Sequence, residues 1–343
     1  TPTLVDGVLF VSGTDGFDNA VDAVVGQEIW RFELGGHLSS TPVVAEDLVF
    51  VARQVNRTGR FCALNKKTGT LVWESNKFGP VWVAPVYRNG MLFFGNKRGD
   101  MFGVRASSGE TVWSYYTMKD TPLEDKSTDV SPSHGWPPGV YSNPAMDDEK
   151  VYVGSWSGFY FALDQQTGAL AWRTATTGIG EGGRPDSAAP LLHKNHLYVQ
   201  KKGTHIAAIH KDSGDIVWEW KAPPGFLQNG SIAAHGDRIY GSVVRGVTLL
   251  PYHATIVAFK DVENGGDQVW EYDGGGGLTA PVITDDSVIF GSSADMFMTG
   301  LDANSGRLIW RTFTGGVMLE NVPTIYGPRA YAHFRNGWVL AVE

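Results

Sequence analysis

The chain has 343 residues, 42% hydrophobic and 12% aromatic, which is enough apolar material for a sizeable core. Its net charge of −8 combines 36 acidic with 28 scattered basic residues, so the counterion release that drives nucleic-acid binding has no source. No apolar run approaches the roughly 20 residues that a bilayer span needs, and Cys62 as sole cysteine excludes an internal disulfide.

The 43 glycines and 12 tryptophans suit many short strands joined by tight turns. A pattern of the form A-L-D-x-x-T-G-x-x-x-W organises them. It begins as Ala20-Val21-Asp22, Val25-Gly26 and Trp30, and returns as Ala63-Leu64-Asn65, Thr68-Gly69 and Trp73. Gly103-Val104-Arg105, Ser108-Gly109 and Trp113 come next, then Ala162-Leu163-Asp164, Thr167-Gly168 and Trp172. Ala208-Ile209-His210, Ser213-Gly214 and Trp218 make the fifth copy. Ala258-Phe259-Lys260, Gly266 and Trp270 make the sixth, with two extra residues before its Trp. Gly300-Leu301-Asp302, Ser305-Gly306 and Trp310 are regular again.

A second pattern, a proline followed by an alternating V-Y-V-G run, alternates with the first. It starts at Pro2, Pro42, Pro85, Pro144, Pro190, Pro281 and Pro323, with Ser231-Ile232-Ala233 as a version lacking proline. Period-two alternation broken by turns such as Arg88-Asn89-Gly90 is hairpin chemistry. Each unit therefore reads as strand A from the proline, strand B through V-Y-V-G, strand C through A-L-D and strand D ending at Trp.

Four antiparallel strands recurring every 40 to 59 residues, Trp to Trp, specify an all-β, eight-bladed β-propeller. The blades are expected at about 1–35, 36–78, 79–118, 140–177, 185–222, 228–273, 277–314 and 320–343, as one cooperative domain with both termini at one blade. The Gly of each C–D turn supplies a left-handed conformation, and each repeat Trp is expected to pack between adjacent blades. The eighth unit stops at Ala341-Val342-Glu343 and lacks its outer strand D. The expectation is that an upstream segment preceded Thr1, and that the open edge accepts strand addition by another chain. Cys62, in the apolar run Phe61-Cys62-Ala63-Leu64, reads as a buried thiol.

The A–B and C–D turns are short, whereas the long connections are all D–A or B–C and share one face: 114–142, 176–188 and 245–254. Residues ahead of each strand A are expected to ring that face. They include Ser40, Val83, Asn143, Ser187, Asn229, Thr279 and Asn321, with Trp82, Tyr141, Asp186 and Glu320 beside them. Asn143, Asp186, Asn229, Glu320 and Asn321 offer the oxygen donors that a hard cation such as Ca²⁺ takes, and the same side chains equally suit turn caps. Arg184 is placed to face an anionic ligand. His193 and His196, three apart in a tight turn, read as surface residues, and the spacing offers no Ser/His/Asp or Cys/His constellation.

The repeat resembles that of the PQQ-binding-like (quinoprotein alcohol dehydrogenase-like) propeller superfamily along essentially the whole chain. The resemblance implies the eight-bladed fold. It leaves function open, because the superfamily holds PQQ- and Ca²⁺-dependent dehydrogenases alongside cofactor-free binding propellers, including the outer-membrane assembly propeller lipoprotein. In the dehydrogenase reading Trp82, Asn143, Arg184 and Asn229 would contact PQQ, Glu320, Asn321 and Asp186 would hold Ca²⁺, and Asp186 would be the catalytic carboxylate. The adjacent-cysteine disulfide of such enzymes cannot form here. The favoured expectation is a non-catalytic, extracytoplasmic scaffold without a cofactor, holding a protein or small ligand on its long-loop face. A dehydrogenase acting on an alcohol or sugar, or a sensor domain of a larger protein, are the alternatives.

Overall fold

A computed structural model describes the chain except for residues 1, 14, 37, 56–57, 120–138, 176–188, 202–204, 222–225, 246–252, 263–264, 275–280, 292–295, 316–322, 327–328, 334–338 and 343. The fold is all-β, an eight-bladed propeller class of antiparallel sheets in A-B-C-D order. Two compact units, Thr1–Ala175 and Thr176–Glu343, hold four sheets each. Sheets of the first span 3–33, 38–75, 86–116 and 145–175; those of the second span 191–221, 226–273, 282–313 and 324–342. The eighth has three strands, Thr324–Tyr326, Arg329–His333 and Val339–Val342.

The prolines fix where strand A starts. In seven sheets a strand A segment begins one residue after the proline, as Thr3 follows Pro2 and Val86 follows Pro85, because proline has no N–H for the ladder. The second sheet pairs Leu38–Ser39 as well as Val43–Ala45 with Leu48–Val55, so its strand A is in two pieces broken at Pro42. The sixth copy has no proline, and its strand A extends back to Phe226 through two register shifts. Asn229 therefore lies within that strand, opposite Val243, and not ahead of it as expected.

Each core is built between consecutive sheets. In the second sheet Val49, Val51, Cys62 and Leu64 pack with Phe10, Ala20 and Trp30 of the first. Phe50, Ala52, Phe61 and Ala63 face the other way, onto Leu92, Phe94 and Val104 of the third. Side-chain alternation along a strand thus feeds two cores from one sheet. Burial pushes the Cys62 thiol up to about 12, with the Glu74 charge adding to the effect. A thiol reagent at pH 8 is accordingly expected to label Cys62 only as the protein unfolds. Stoichiometric labelling within minutes in native buffer would contradict the packing.

The A-L-D-x-x-T-G-x-x-x-W pattern has a structural reason at each position. The Asp or Asn caps the C–D turn: Asp22, Asn65, Asp164 and Asp302 each accept two backbone N–H bonds from the residues two and three ahead. The Thr167 and Ser305 hydroxyls, together with those bonds, hold the carboxyls of Asp164 and Asp302 below the usual range, and the backbone bonds do the same for Asp22. The turn glycine is needed twice, by its φ of +69 to +72° and by contact. A Cβ on Gly69, Gly109, Gly168 or Gly306 would meet the Trp of the preceding sheet at 2.6–2.8 Å. Trp30, Trp73, Trp113 and Trp270 also donate their indole N–H to carbonyls of that next turn, on Lys66, Ala106, Gln165 and Ala303.

The small residue that opens the pattern sits opposite the Trp of its own sheet, at a β-bulge found in all seven copies: Ala20 faces Trp30, and Gly103 faces Trp113. A Cβ on Gly103 would lie 2.3 Å from the Trp113 indole. Gly103→Ala is expected to cost about 1–3 kcal/mol of stability through overpacking, read as a lower denaturation midpoint. An unchanged midpoint would show that the indole moves aside freely.

Candidate functional site

The connections that enter the third and fourth sheets build one cluster in the first unit. Residues 80–84 lead into Val86–Arg88, and residues 139–143 lead into Ala145–Met146. Both thread past the B–C turns at Asn96–Gly99 and Ser155–Gly158. Lys97 N–H donates to the Pro80 carbonyl at 3.0 Å, Val140 N–H to Asn96 at 2.9 Å and Trp156 N–H to Gly139 at 2.9 Å. Gly139 has no room for a side chain, since a Cβ would meet the Lys97 carbonyl at 2.4 Å.

Asn96 sets this arrangement. Its side chain is buried, donates to the Phe78 carbonyl at 2.8 Å and to Asp100 at 2.9 Å, and accepts the N–H groups of Arg98 and Asp100. Next to it the Lys97 ammonium lies over the Trp82 ring. Burial, with 8% of the residue exposed, pulls the Lys97 amine down to about 8. Trp82 meets Tyr141 edge-on at 6.1 Å, and Tyr141 lies against Trp156 at 4.0 Å. These three aromatic residues are all partly exposed. Asn143 is exposed, and its side-chain oxygen accepts the Ala84 N–H at 2.8 Å, tying the two entry segments together.

The structure thus brings Trp82 and Asn143 into one neighbourhood through Ala84, and adds Lys97, Asn96, Tyr141 and Trp156 to it. Asp186, Arg184, Glu320 and Asn321 lie outside the described residues, as do Ser187 and Thr279, and of Asn229 only the backbone is described. Among the described residues no group of three His, Cys, Asp or Glu side chains is placed to hold a metal ion. Sequence reasoning passed over Lys97, Asn96 and Trp156. A signal existed for the last. Seven of the 12 tryptophans occupy the repeat position, which leaves Trp82, Trp136, Trp156, Trp220 and Trp338 without that structural reason to be there.

Seven copies of the tryptophan repeat, with an aromatic cluster where two entry segments meet, define a propeller of the quinoprotein-like class. The chain matches the family model of outer membrane protein assembly factor BamB over residues 14–135, 126–246 and 243–343, and it belongs to that family. Its relatives differ in their chemistry. It is 24% identical to the tetrathionate hydrolase of Acidithiobacillus ferrooxidans, over 87% of this chain and 71% of that protein. The crystal structure of BamB from Moraxella catarrhalis superposes with a TM-score of 0.76 at 19% identity, covering 99% of this chain and 95% of that one. The quinohemoprotein alcohol dehydrogenase of Comamonas testosteroni also gives 0.76, at 16% identity, covering 99% and 70%. At these identities the two structures establish the fold alone. No helix among the described residues is long and apolar enough to cross a membrane.

Proposed function

We propose that this chain is a non-catalytic binding propeller of the extracytoplasmic space, holding a protein or ligand partner on its long-loop face. The observation that carries the reading is the cluster of Trp82, Tyr141 and Trp156, partly exposed, held by Asn96 and flanked by Lys97 and Asn143. Rigid aromatic anchors bordered by polar groups supply most of the energy in protein interfaces. The match to an outer membrane assembly factor supports the same reading and the same side of the inner membrane. A photo-crosslinking residue placed at Asn143 is expected to give an adduct in cells that Trp82→Ala with Tyr141→Ala abolishes, at unchanged far-UV circular dichroism. Adducts that survive the double substitution would place the partner elsewhere.

The second reading, a PQQ- and Ca²⁺-dependent alcohol or sugar dehydrogenase, rests on the indole of Trp82 as a stacking wall and the amide of Asn143 as a polar contact. Lys97 already covers the Trp82 ring, and the Asn143 oxygen is already bonded to Ala84, so the described residues fit the quinone poorly. When PQQ and Ca²⁺ are added, the quinone is expected to leave on desalting, with no dye reduction by alcohols. Stoichiometric retention with turnover would establish the dehydrogenase.

A further inference from the structure

The two entry segments of the first unit gather three aromatic rings beside one buried cation. Lys97 and Trp156 hold the same place, second of four residues, in the B–C turns Asn96–Gly99 and Ser155–Gly158. The Lys97 ammonium lies over the Trp82 ring, although only 8% of the residue is exposed. Tyr141 stands at 69° to Trp82 and so makes a corner with it, and Trp156 backs Tyr141 at 4.0 Å. An indole face attracts a positive charge, but a primary ammonium must shed tightly held water to reach it. That cost shows in the Lys97 amine, which burial pulls down to about 8. The Lys97 N–H bond to Pro80 and the crossing of Gly139 fix the turn's backbone, so displacing this cation moves the lysine side chain alone.

We propose that Trp82, Tyr141 and Trp156 form a binding site for a quaternary ammonium group, with Lys97 as the resident cation that such a ligand displaces. The inference rests on the cluster already assigned to the long-loop interface and names the ligand chemistry that it takes. A methylated ammonium carries the charge of Lys97 on a larger, weakly hydrated surface, and its methyl groups add apolar contact with the rings. It therefore replaces the lysine charge for charge at a lower desolvation cost. A neutral group of the same shape forfeits the attraction of the indole face. The net charge of −8 favours the approach of a cation from solution.

The test titrates the intact protein with tetramethylammonium and with choline in a calorimeter, against ammonium chloride at equal ionic strength. Saturable binding at one site is expected, about tenfold tighter for tetramethylammonium than for ammonium. Trp82→Ala should weaken it about tenfold and Trp82→Phe by less, since indole holds a cation better than phenyl. Lys97→Met should tighten it by removing the competing charge. Circular dichroism checks that each variant is folded, and Trp82→Phe, which keeps a ring in place, carries the comparison if Trp82→Ala does not fold. Absence of saturable binding, equal binding of the uncharged carbon analogue of choline, or indifference to the Trp82 substitutions would each overturn the site. Binding seen only in Lys97→Met would also overturn it, by making the lysine a permanent occupant. Crosslinks at Asn143 that persist after a failed titration would leave the long-loop interface standing without the cation site. Cation binding without crosslinks would do the reverse, so the two failures are distinguishable.

Discussion

Asp18→Ala is expected to lower the unfolding free energy by about 3–5 kcal/mol, because it strands a charge inside the first unit. Arg53 is fully buried and Asp18 is 2% exposed. The guanidinium lies 3.1 Å from one carboxylate oxygen, and its Nε donates to the other at 3.3 Å. Its remaining N–H groups donate to the carbonyls of Gly13 at 2.9 Å and Phe17 at 2.5 Å, so the second sheet grips the B–C turn of the first. Ser12 donates to the same carboxylate. Burial raises the Asp18 carboxyl above its usual range, with the Asp15 charge adding to the effect and Arg53 and Ser12 opposing it. Removing the carboxylate leaves Arg53 without its counter-charge at a place water does not reach. Urea denaturation of Asp18→Ala should show the loss. Asp18→Leu combined with Arg53→Met should recover much of it, since replacing both partners leaves no buried charge. A loss below about 1 kcal/mol for the single change would mean that water enters the site, contrary to the burial seen here.

Neither partner of that pair stood out in the sequence. Pairing across 35 residues leaves no local pattern in the chain. The repeat was legible for the opposite reason, since Trp, Gly and Asp recur at fixed spacing and each acts within one turn or against the next sheet. Even there the reading stopped short. The Ala or Gly that opens each pattern is recognisable as small, but only the bulge that places it opposite its own Trp explains why a small residue is needed there. Strand starts followed the prolines wherever these exist, and the one error, at Asn229, fell in the copy without one.

The site was legible in part. Trp82 and Asn143 were singled out because the residues ahead of each strand A fall on one face, and topology alone fixes that. Lys97 and Asn96 lie in a four-residue turn, Asn-Lys-Arg-Gly, whose composition suits any exposed hairpin. What makes them part of the site is the chain of residues 139–143 crossing over the turn and burying it, a tertiary event that no spacing encodes.

Trp113→Ala is expected to cost about 3–5 kcal/mol, the range for removing a buried aromatic whose site cannot collapse. Collapse is prevented on three sides. Gly168 of the next turn and Gly103 of the same sheet both approach the indole as bare backbone, and Phe93 stacks on it at 5.8 Å. The backbones are held by their own ladders, so the space stays open when the ring is removed. The indole N–H also donates to the Gln165 carbonyl at 2.8 Å, and the bond is buried. Trp113→Phe separates the two contributions: it keeps much of the ring area and deletes the bond, so a loss of about 1–3 kcal/mol is expected. Trp310 supplies the internal control. It occupies the same repeat position and faces Gly300, yet it is only half-buried. Trp310→Ala should therefore cost distinctly less than Trp113→Ala under the same denaturant titration. Equal losses at the two positions would show that the indole stabilises its own sheet through the bulge, and that docking on the neighbouring turn adds little.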